Sequence, residues 1–213
     1  MTGEVPPGAL PALPLFPLPR IALFPGCILP LHVFEPRYRA MLADVLASHG
    51  CIAMVRIVED GDDPPTLEHV AGLGVVVKHE ELADGRSNIL LQGRARVALA
   101  ELPFEAPYRR ARASVLREKD TVVTDVERAA LHAAATGFVA RVKGHDAEVD
   151  LRLPVDLEPG GMADLCAHHL LLDPDARQRA LEELDVAARV RAVTGELVAQ
   201  SAGMPARDRG AAN

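Results

Sequence analysis

The residue types best suited to chemistry in this chain stand in the stretch CAHH, which places Cys166, His168 and His169 within about one helical turn. Thiolate and imidazole groups bind zinc when they converge on one point. Adjacent helical positions point about 100° apart, so Cys166 and His169 share a face while His168 points elsewhere. The pattern therefore favours histidines on a helix surface, and no metal site is predicted.

The sequence carries no motif for nucleotide chemistry or covalent catalysis. Lys78, Lys119 and Lys143 are the only lysines, and none follows a glycine, which excludes a phosphate-binding loop of the G-K-[ST] type. The GLG sequence at Gly72–Gly74 lacks the third glycine of a dinucleotide fingerprint and predicts close backbone packing within a strand. No serine lies in a G-x-S-x-G motif. We expect no catalytic residue and no cofactor.

A run of arginines provides a second candidate feature. If the strands alternate, Arg94 and Arg96 share one face, and so do Arg110 and Arg112. A basic patch of Arg94, Arg110 and Arg112 would suit RNA. Aromatic residues make up only 3% of the chain and tryptophan is absent, whereas nucleic-acid-binding sheets usually add stacking aromatics. The solvent face of an arginine-rich protein is the favoured interpretation, and RNA binding remains the alternative function.

The third candidate feature is the turn FEPRYR, residues 34–39, in a part of the chain that holds most of the aromatic residues. Core packing is favoured for the nearby Phe16 and Phe24. Phe34 precedes a Glu-Pro helix start, where we expect part of its ring to stay exposed and to bind a partner. The predicted peptide-binding residues are Phe34, Glu35, Arg37, Tyr38 and Arg39.

Composition limits the class of protein. The chain has 213 residues, 49% of them hydrophobic and 25% charged, which is typical of a folded globular protein. Its net charge of −7 argues against whole-molecule attraction to nucleic acid or anionic lipid. Three widely separated cysteines suggest reduced thiols, and no apolar run approaches the ~20 residues that span a bilayer. The expected location is the cytoplasm, without membrane contact.

The first half of the chain predicts mostly sheet. Short runs rich in valine and isoleucine are separated by turn residues, and Asp84-Gly85 predicts a hairpin. One helix interrupts them, with Pro36 at its first position and Gly50 after its end. The residues predicted on its inner face are Tyr38, Met41, Leu42, Val45 and Leu46.

The second half predicts four helices. The sequence TDVE, from Thr124 to Glu127, forms a capping box, and Asp173 and Asp185 are placed to cap two later helices. The inner face of the first of these helices is predicted to carry Val126, Leu131, Phe138 and Val142. We therefore divide the chain into a β-rich part at 1–117, a helical bundle at 118–203 and a disordered tail at 204–213.

The order of the motifs LPLFPL, ALFPGCILPLHVFEPRYRAML, GLGVVVKHEEL and DGRSNILLQGRARV resembles the Lon protease N-terminal domain, also called the Lon substrate-binding domain. The resemblance covers roughly Leu13 to Gln200. It implies an α+β fold, in which a PUA-like β pseudo-barrel with one helix precedes a small helical bundle. It also implies that the glycine of QGRARV lies where a strand bends or approaches other backbone closely and that Arg96 is buried and hydrogen-bonded.

The function expected from this resemblance is a non-enzymatic module that binds unfolded or exposed polypeptide, without the ATPase and protease modules of a complete Lon protease. An extended peptide would add to a sheet edge near Phe34. The expected partners are proteins, with a separate protease or chaperone among them, and weak self-association is left open. A small-molecule pocket between the two parts is the least favoured interpretation, because no acid, base or nucleophile set is recognisable.

Overall fold

The computed structural model describes residues 5–58, 64–105, 107–119, 121–145, 154 and 156–204. A short 3-10 helix at Pro7–Ala12 precedes six strands and five α-helices. The strands are β1 Leu13–Leu18, β2 Ile28–Val33, β3 Cys51–Arg56, β4 Val70–Glu81, β5 Ser87–Glu101 and β6 Arg110–Val115. The helices are α1 Pro36–Leu46, α2 Asp125–His145, α3 Pro159–Leu170, α4 Pro174–Glu182 and α5 Val186–Gly203.

The sheet closes on itself. Its strand order is β2-β5-β4-β3-β1-β6, and β6 also pairs with β5, so five strands form a closed barrel and β2 extends it beside the first half of β5. Strands β1 and β3 run parallel, with Leu15 opposite Ala53, while the other pairs are antiparallel. The hairpin predicted at Asp84-Gly85 joins β4 to β5, with Gly85 at φ 79°. The predicted α+β class and pseudo-barrel are confirmed.

The barrel interior is filled mainly by small and branched apolar side chains, as its narrow lumen requires. One buried cluster fills the interior. It includes Leu13 and Leu15 of β1 together with Cys51, Ala53 and Val55 of β3. On the outer side of β3, Ile52 and Met54 pack with α1 instead. Alternation along one strand therefore supplies two separate cores.

Helix α1 covers one flank of the barrel. Pro36 occupies its first turn, and Tyr38, Met41, Leu42 and Val45 are buried as predicted. The prediction for Leu46 is wrong, because this residue is exposed at the last position of the helix.

The segment between β1 and β2, residues 19–27, is called the crossing segment because it crosses the sheet at positions that have no side chain. A Cβ atom added at Gly72 would lie 1.9 Å from the Leu23 carbonyl oxygen, and one at Gly93 would lie 2.0 Å from the Phe24 carbonyl oxygen. No rotamer change relieves a clash between a Cβ and backbone. The close backbone packing expected at the GLG sequence and at the glycine of QGRARV is thus present, and it allows the crossing segment to lie directly on β4 and β5.

The helical bundle begins with the predicted capping box. The Thr124 backbone N–H donates to Glu127 Oε2 over 2.9 Å, and the Glu127 N–H donates to Thr124 Oγ1 over 3.2 Å. Asp173 and Asp185 accept backbone N–H groups at the starts of α4 and α5. These helix starts follow from local sequence.

The inner face of α2 differs from the prediction at one residue. Leu131 and Phe138 are buried, and Val142 packs against the same cluster. Val126 is 78% exposed, since it lies five positions before Leu131 and so on another side of the helix.

The bundle packs against the barrel through a shared core. Ala22, Phe24 and Cys27, from the segment that crosses the sheet, belong to one cluster with buried residues of all four bundle helices. Met204, directly after α5, also packs on this cluster, and residues 205–213 of the predicted tail lie outside the described residues. No helix in the described ranges is both long enough and apolar enough to cross a membrane.

Four charged side chains lie at the same interface. Arg96 of β5 is buried, donates through Nε to the Leu181 carbonyl over 2.9 Å and through Nη1 to Glu118 over 2.9 Å, and also pairs with Asp164 of α3. Arg189 of α5 pairs with Glu118, and its Nε lies 3.0 Å from Asp164 without hydrogen-bond geometry. The expected burial of Arg96 is confirmed, and the network is formally neutral.

Candidate peptide-binding site

An apolar groove of about 520 Å³ opens beside the N-terminal end of α1. Its floor is formed by Leu15 of β1, by Tyr38 and by Tyr108, all of which are largely buried. The exposed ring of Phe104 and the ring of Pro17 form part of its walls. The remaining apolar lining comes from described parts of the β3–β4 connection and of the connection before β6, as Ile57, Pro64, Pro65 and Pro107.

The two tyrosine rings of the groove are held in place. The Tyr38 ring lies 4.3 Å from the Phe16 ring, between centroids, and the Arg37 guanidinium lies 4.5 Å from the Tyr38 centroid. The Tyr108 hydroxyl donates to Asp44 of α1 over 2.7 Å. Burial raises the pKa of Tyr38, and burial together with the Asp44 hydrogen bond raises the pKa of Tyr108 to about 12. Both rings are therefore neutral and positioned before any partner binds.

The charges that line the groove are paired with one another. Arg37 Nε donates to Glu35 Oε2 over 2.9 Å. Arg109 Nε donates to Glu101 Oε1 over 2.6 Å, and Arg109 Nη1 donates to the Pro65 carbonyl over 2.7 Å. The second pair ties the turn after β3 to the end of β5, so it shapes the groove in addition to neutralising its rim.

The structure brings together three of the five predicted peptide-binding residues, because Glu35, Arg37 and Tyr38 all line the groove. Phe34 is 58% exposed and stacks on His32, with ring centroids 6.0 Å apart. Arg39 packs against Gly85 in the β4–β5 hairpin, where an added Cβ would lie 2.2 Å from its Nη2. Phe34 and Arg39 do not line the groove. Residues 34–39, which include the first turn of α1, therefore contribute to two surfaces: Glu35, Arg37 and Tyr38 to the groove, and Phe34 and Arg39 to the surface outside it.

The predicted site omits the segment LPFEAPYRR, residues 102–110, which supplies Phe104, Tyr108 and Arg109 to the groove. A signal was present in the sequence, since this segment holds two of the seven aromatic residues and each has a proline directly before it. Nothing local indicates that these residues meet the start of α1, more than sixty positions earlier in the chain.

The predicted basic patch is not one continuous surface. Arg112 lies opposite Ala100 of β5, and Arg94 lies six positions before Ala100, which corresponds to roughly 20 Å along the strand. Arg110 pairs with Glu105 over 2.6 Å, and Arg96 is buried in the charged network. These arginines do not combine into a phosphate-binding surface.

Cys166 and His168 of the CAHH stretch have structural roles, whereas His169 is exposed as predicted. Cys166 is buried, and burial raises the pKa of its thiol to about 12. His168 contradicts the prediction of a surface histidine: its Nδ1 donates to the Ala22 carbonyl over 3.2 Å, and burial lowers its pKa to about 4. The described residues contain no group of three histidine, cysteine, aspartate or glutamate side chains arranged to hold a metal ion.

The described residues form a class of α+β domain in which a PUA-like barrel carries a helical bundle on its flank and an apolar groove at the start of α1. Residues 12–199 match the sequence model of the family described as the ATP-dependent protease La (LON) substrate-binding domain. The chain therefore belongs to the Lon substrate-binding domain family.

Relatives of known sequence and structure agree with this assignment. The chain is 30% identical to a Lon protease of Roseiflexus castenholzii over 198 residues, which cover 88% of this chain and 24% of the relative. It is 31% identical to Lon protease 2 of Sorangium cellulosum over 200 residues, covering 85% of this chain and 24% of the relative. The chain thus spans about a quarter of the length of these relatives.

Two solved structures share the fold. The N-terminal domain of a Mycobacterium avium complex Lon protease superposes with a TM-score of 0.64 at 16% identity, covering 88% of this chain and 98% of that one. A Lon N-terminal domain protein from Xanthomonas campestris superposes with a TM-score of 0.64 at 19% identity, covering 91% and 99%. At these identities the likeness concerns the fold alone.

Proposed function

We propose that this chain binds unfolded or exposed segments of proteins and that the groove beside α1 is its binding site. The observation that carries the proposal is the groove itself, an apolar concavity of about 520 Å³ with two preset tyrosine rings in a family described as substrate-binding. Pockets of this size and character are the usual binding sites of proteins. Phe34 and Arg39 extend the proposed contact surface beyond the groove.

Recognition at this site rests on apolar burial. Transferring one large apolar side chain from water into the groove contributes about 1.5–3 kcal/mol, against which the ordering of the bound segment must be set. The groove-lining charges are already paired, so they add little attraction for a charged ligand. Affinity for any one segment is therefore modest, and the apolar character of the segment matters more than its exact sequence.

The proposed role is non-catalytic and cytoplasmic. The matched family model describes substrate binding, and the described residues bring no nucleophile and base together in the groove. The proposed partners are unfolded proteins, with a protease or chaperone that receives them, and no cofactor is required.

The experiment that tests this proposal compares the wild type with Phe104→Ala in binding a permanently unfolded protein, by fluorescence anisotropy. Phe104 is 66% exposed, so its truncation leaves the fold intact. We expect about tenfold weaker binding, which corresponds to about 1.4 kcal/mol.

Val122→Ala is the matched control, because Val122 is 87% exposed and does not line the groove. It should bind as the wild type does. Unchanged binding by Phe104→Ala, or an equal loss in both variants, would contradict the proposed site.

A further inference from the structure

We propose that the groove beside α1 selects uncharged, proline-containing segments in the polyproline II conformation and does not bind peptides as an added β-strand. This inference rests on the proposed function and names the class of segment that the same site takes. It follows from the strand edges around the groove, from the groove lining and from the hydrogen-bonding groups that remain free there.

The strand edge that borders the groove cannot support a β-ladder. The Leu15 N–H of β1 donates to the Arg109 carbonyl over 2.9 Å, and β6 begins at the next residue, Arg110. Beyond that point no described residue is shown paired with this edge of β1. Backbone groups on one edge of a strand recur every second residue, so the next position on this edge is Pro17, which has no N–H. An incoming strand would find no donor there.

The edge of β2, which leads to Phe34, is blocked in a similar way. The Cys27 carbonyl accepts the Gly93 N–H over 2.9 Å, so alternation turns Leu29, Leu31 and Val33 toward β5. Pro30 then faces the open edge, in the middle of a six-residue strand. Proline at such a position prevents strand addition. Peptide binding through a continuous main-chain ladder is therefore disfavoured on both sides of the turn that holds Phe34.

The groove lining suits a polyproline II segment. Three aromatic rings, those of Tyr38, Phe104 and Tyr108, line it together with four prolines. Aromatic-lined grooves bind this conformation, which presents ring faces and unpaired carbonyl groups and needs donors instead of a ladder. The Tyr38 hydroxyl has no hydrogen-bond partner among the described residues, so it can donate to a ligand carbonyl.

Charge complementarity selects an uncharged segment. The described residues that line the groove include two carboxylates, Glu35 and Glu101, and two guanidinium groups, Arg37 and Arg109, and each carboxylate is paired. Against the part of the lining that the structure describes, a charged ligand group would lose hydration without gaining an unpaired counter-charge. A polyproline II segment is also extended before it binds, which lowers the entropic cost of ordering it.

Three fluorescein-labelled, uncharged decapeptides test the inference by anisotropy with the full chain. The first carries proline at every third position, the second replaces those prolines with alanine, and the third alternates valine and threonine to favour a β-strand. We expect the proline peptide to bind at least about tenfold more tightly than either of the others. Equal or tighter binding of the valine–threonine peptide would overturn the inference.

Variants of the chain locate the contact. Tyr38→Phe removes only the hydroxyl and should weaken the proline peptide about fivefold. Phe104→Ala should weaken it about tenfold, and Val122→Ala should have no effect. Retention of full affinity by both groove variants would overturn the inference.

The experiments distinguish failure of the proposed function from failure of the inference about polyproline II segments. If a permanently unfolded protein binds but the proline peptide does not, the inference is wrong and the proposed function stands. If neither binds, the proposed function itself is wrong.

Discussion

His168 connects the bundle to the barrel as a neutral side chain. Its Nδ1 donates to the Ala22 carbonyl of the crossing segment, and burial lowers its pKa to about 4. In an unfolded chain the pKa of the same imidazole returns to about 6.5. Between these two pH values the unfolded chain binds a proton that the folded protein does not, so acid favours unfolding there.

We predict that the free energy of unfolding falls as the pH is lowered from about 6.5 to about 4, by at most about 3 kcal/mol from His168. Chemical denaturation at a series of pH values measures this dependence. Because burial also lowers the pKa of His49 and of His169, His168→Gln should reduce the slope without abolishing it.

Near pH 8 all three imidazoles are neutral in the folded and the unfolded state. The difference in unfolding free energy between the wild type and His168→Gln should therefore not change with pH there. An identical slope for the two proteins below pH 6.5 would contradict the role assigned to His168.

At the scale of elements, the packing of the crossing segment on the sheet tolerates no added side-chain atom at the glycines beneath it. It lies on β4 and β5 only because Gly72 and Gly93 have no Cβ, and it carries Phe24 into the core shared with the bundle. Local patterns predicted the turns, the helix starts and close packing at Gly72, and the family resemblance implied a close approach at Gly93. They did not indicate which segment approaches, because that partner lies far away in the chain.

We predict that Gly93→Ala prevents stable folding, since its Cβ would lie 2.0 Å from the Phe24 carbonyl oxygen. Thermal unfolding followed by circular dichroism should show no cooperative transition or a strongly lowered midpoint. Gly137→Ala in α2 is the matched control, because a Cβ there meets nothing within 4 Å. It should be neutral or should stabilise by about 0.5–1 kcal/mol, as replacing a helical glycine does. A cooperative, wild-type transition in Gly93→Ala would refute the close approach.

At the scale of the whole molecule, we propose that the two parts divided near residue 117 fold as one unit. They share the core around Phe24, and Arg96 of the barrel contacts Asp164 of α3 and Glu118 at the entrance to the bundle. Removing one member of such a network leaves a buried charge without compensation. Its loss therefore destabilises both parts.

We predict that Asp164→Ala lowers the free energy of unfolding by about 3–5 kcal/mol. The unfolding transitions of the barrel and of the bundle should move by the same amount. The only tyrosines, Tyr38 and Tyr108, lie in the barrel part, so tyrosine fluorescence reports on it, while circular dichroism at 222 nm reports mainly on the bundle helices. The two transitions should coincide in the wild type and in the variant.

Asp84→Ala is the control, because Asp84 is half-exposed and its contacts, an ion pair with Arg86 and a bond from the Arg86 backbone N–H, stay within the β4–β5 hairpin. Exposed ion pairs contribute little, so its midpoint should scarcely move. Separate fluorescence and circular dichroism transitions in the wild type would show that the two parts unfold independently.

Local rules account for much of this molecule. The TDVE capping box, Pro36 at the start of α1, the Asp84-Gly85 hairpin and the buried face of α1 all depend on neighbours within a few residues, so periodicity and capping chemistry predicted them. The motif order was enough to indicate the family and the α+β fold. The capping box, the helix start, the hairpin and the buried helix face require only short-range backbone and side-chain preferences.

Contacts between distant segments decided the rest. Glu35 and Arg37 were predictable as part of a turn, but the groove exists only because that turn meets β1, the turn after β3 and the segment with Phe104 and Tyr108. The burial of His168 likewise depends on the crossing segment packing against α3. Sequence spacing along one element predicts which side chains share a face, whereas closure of the barrel determines which faces meet.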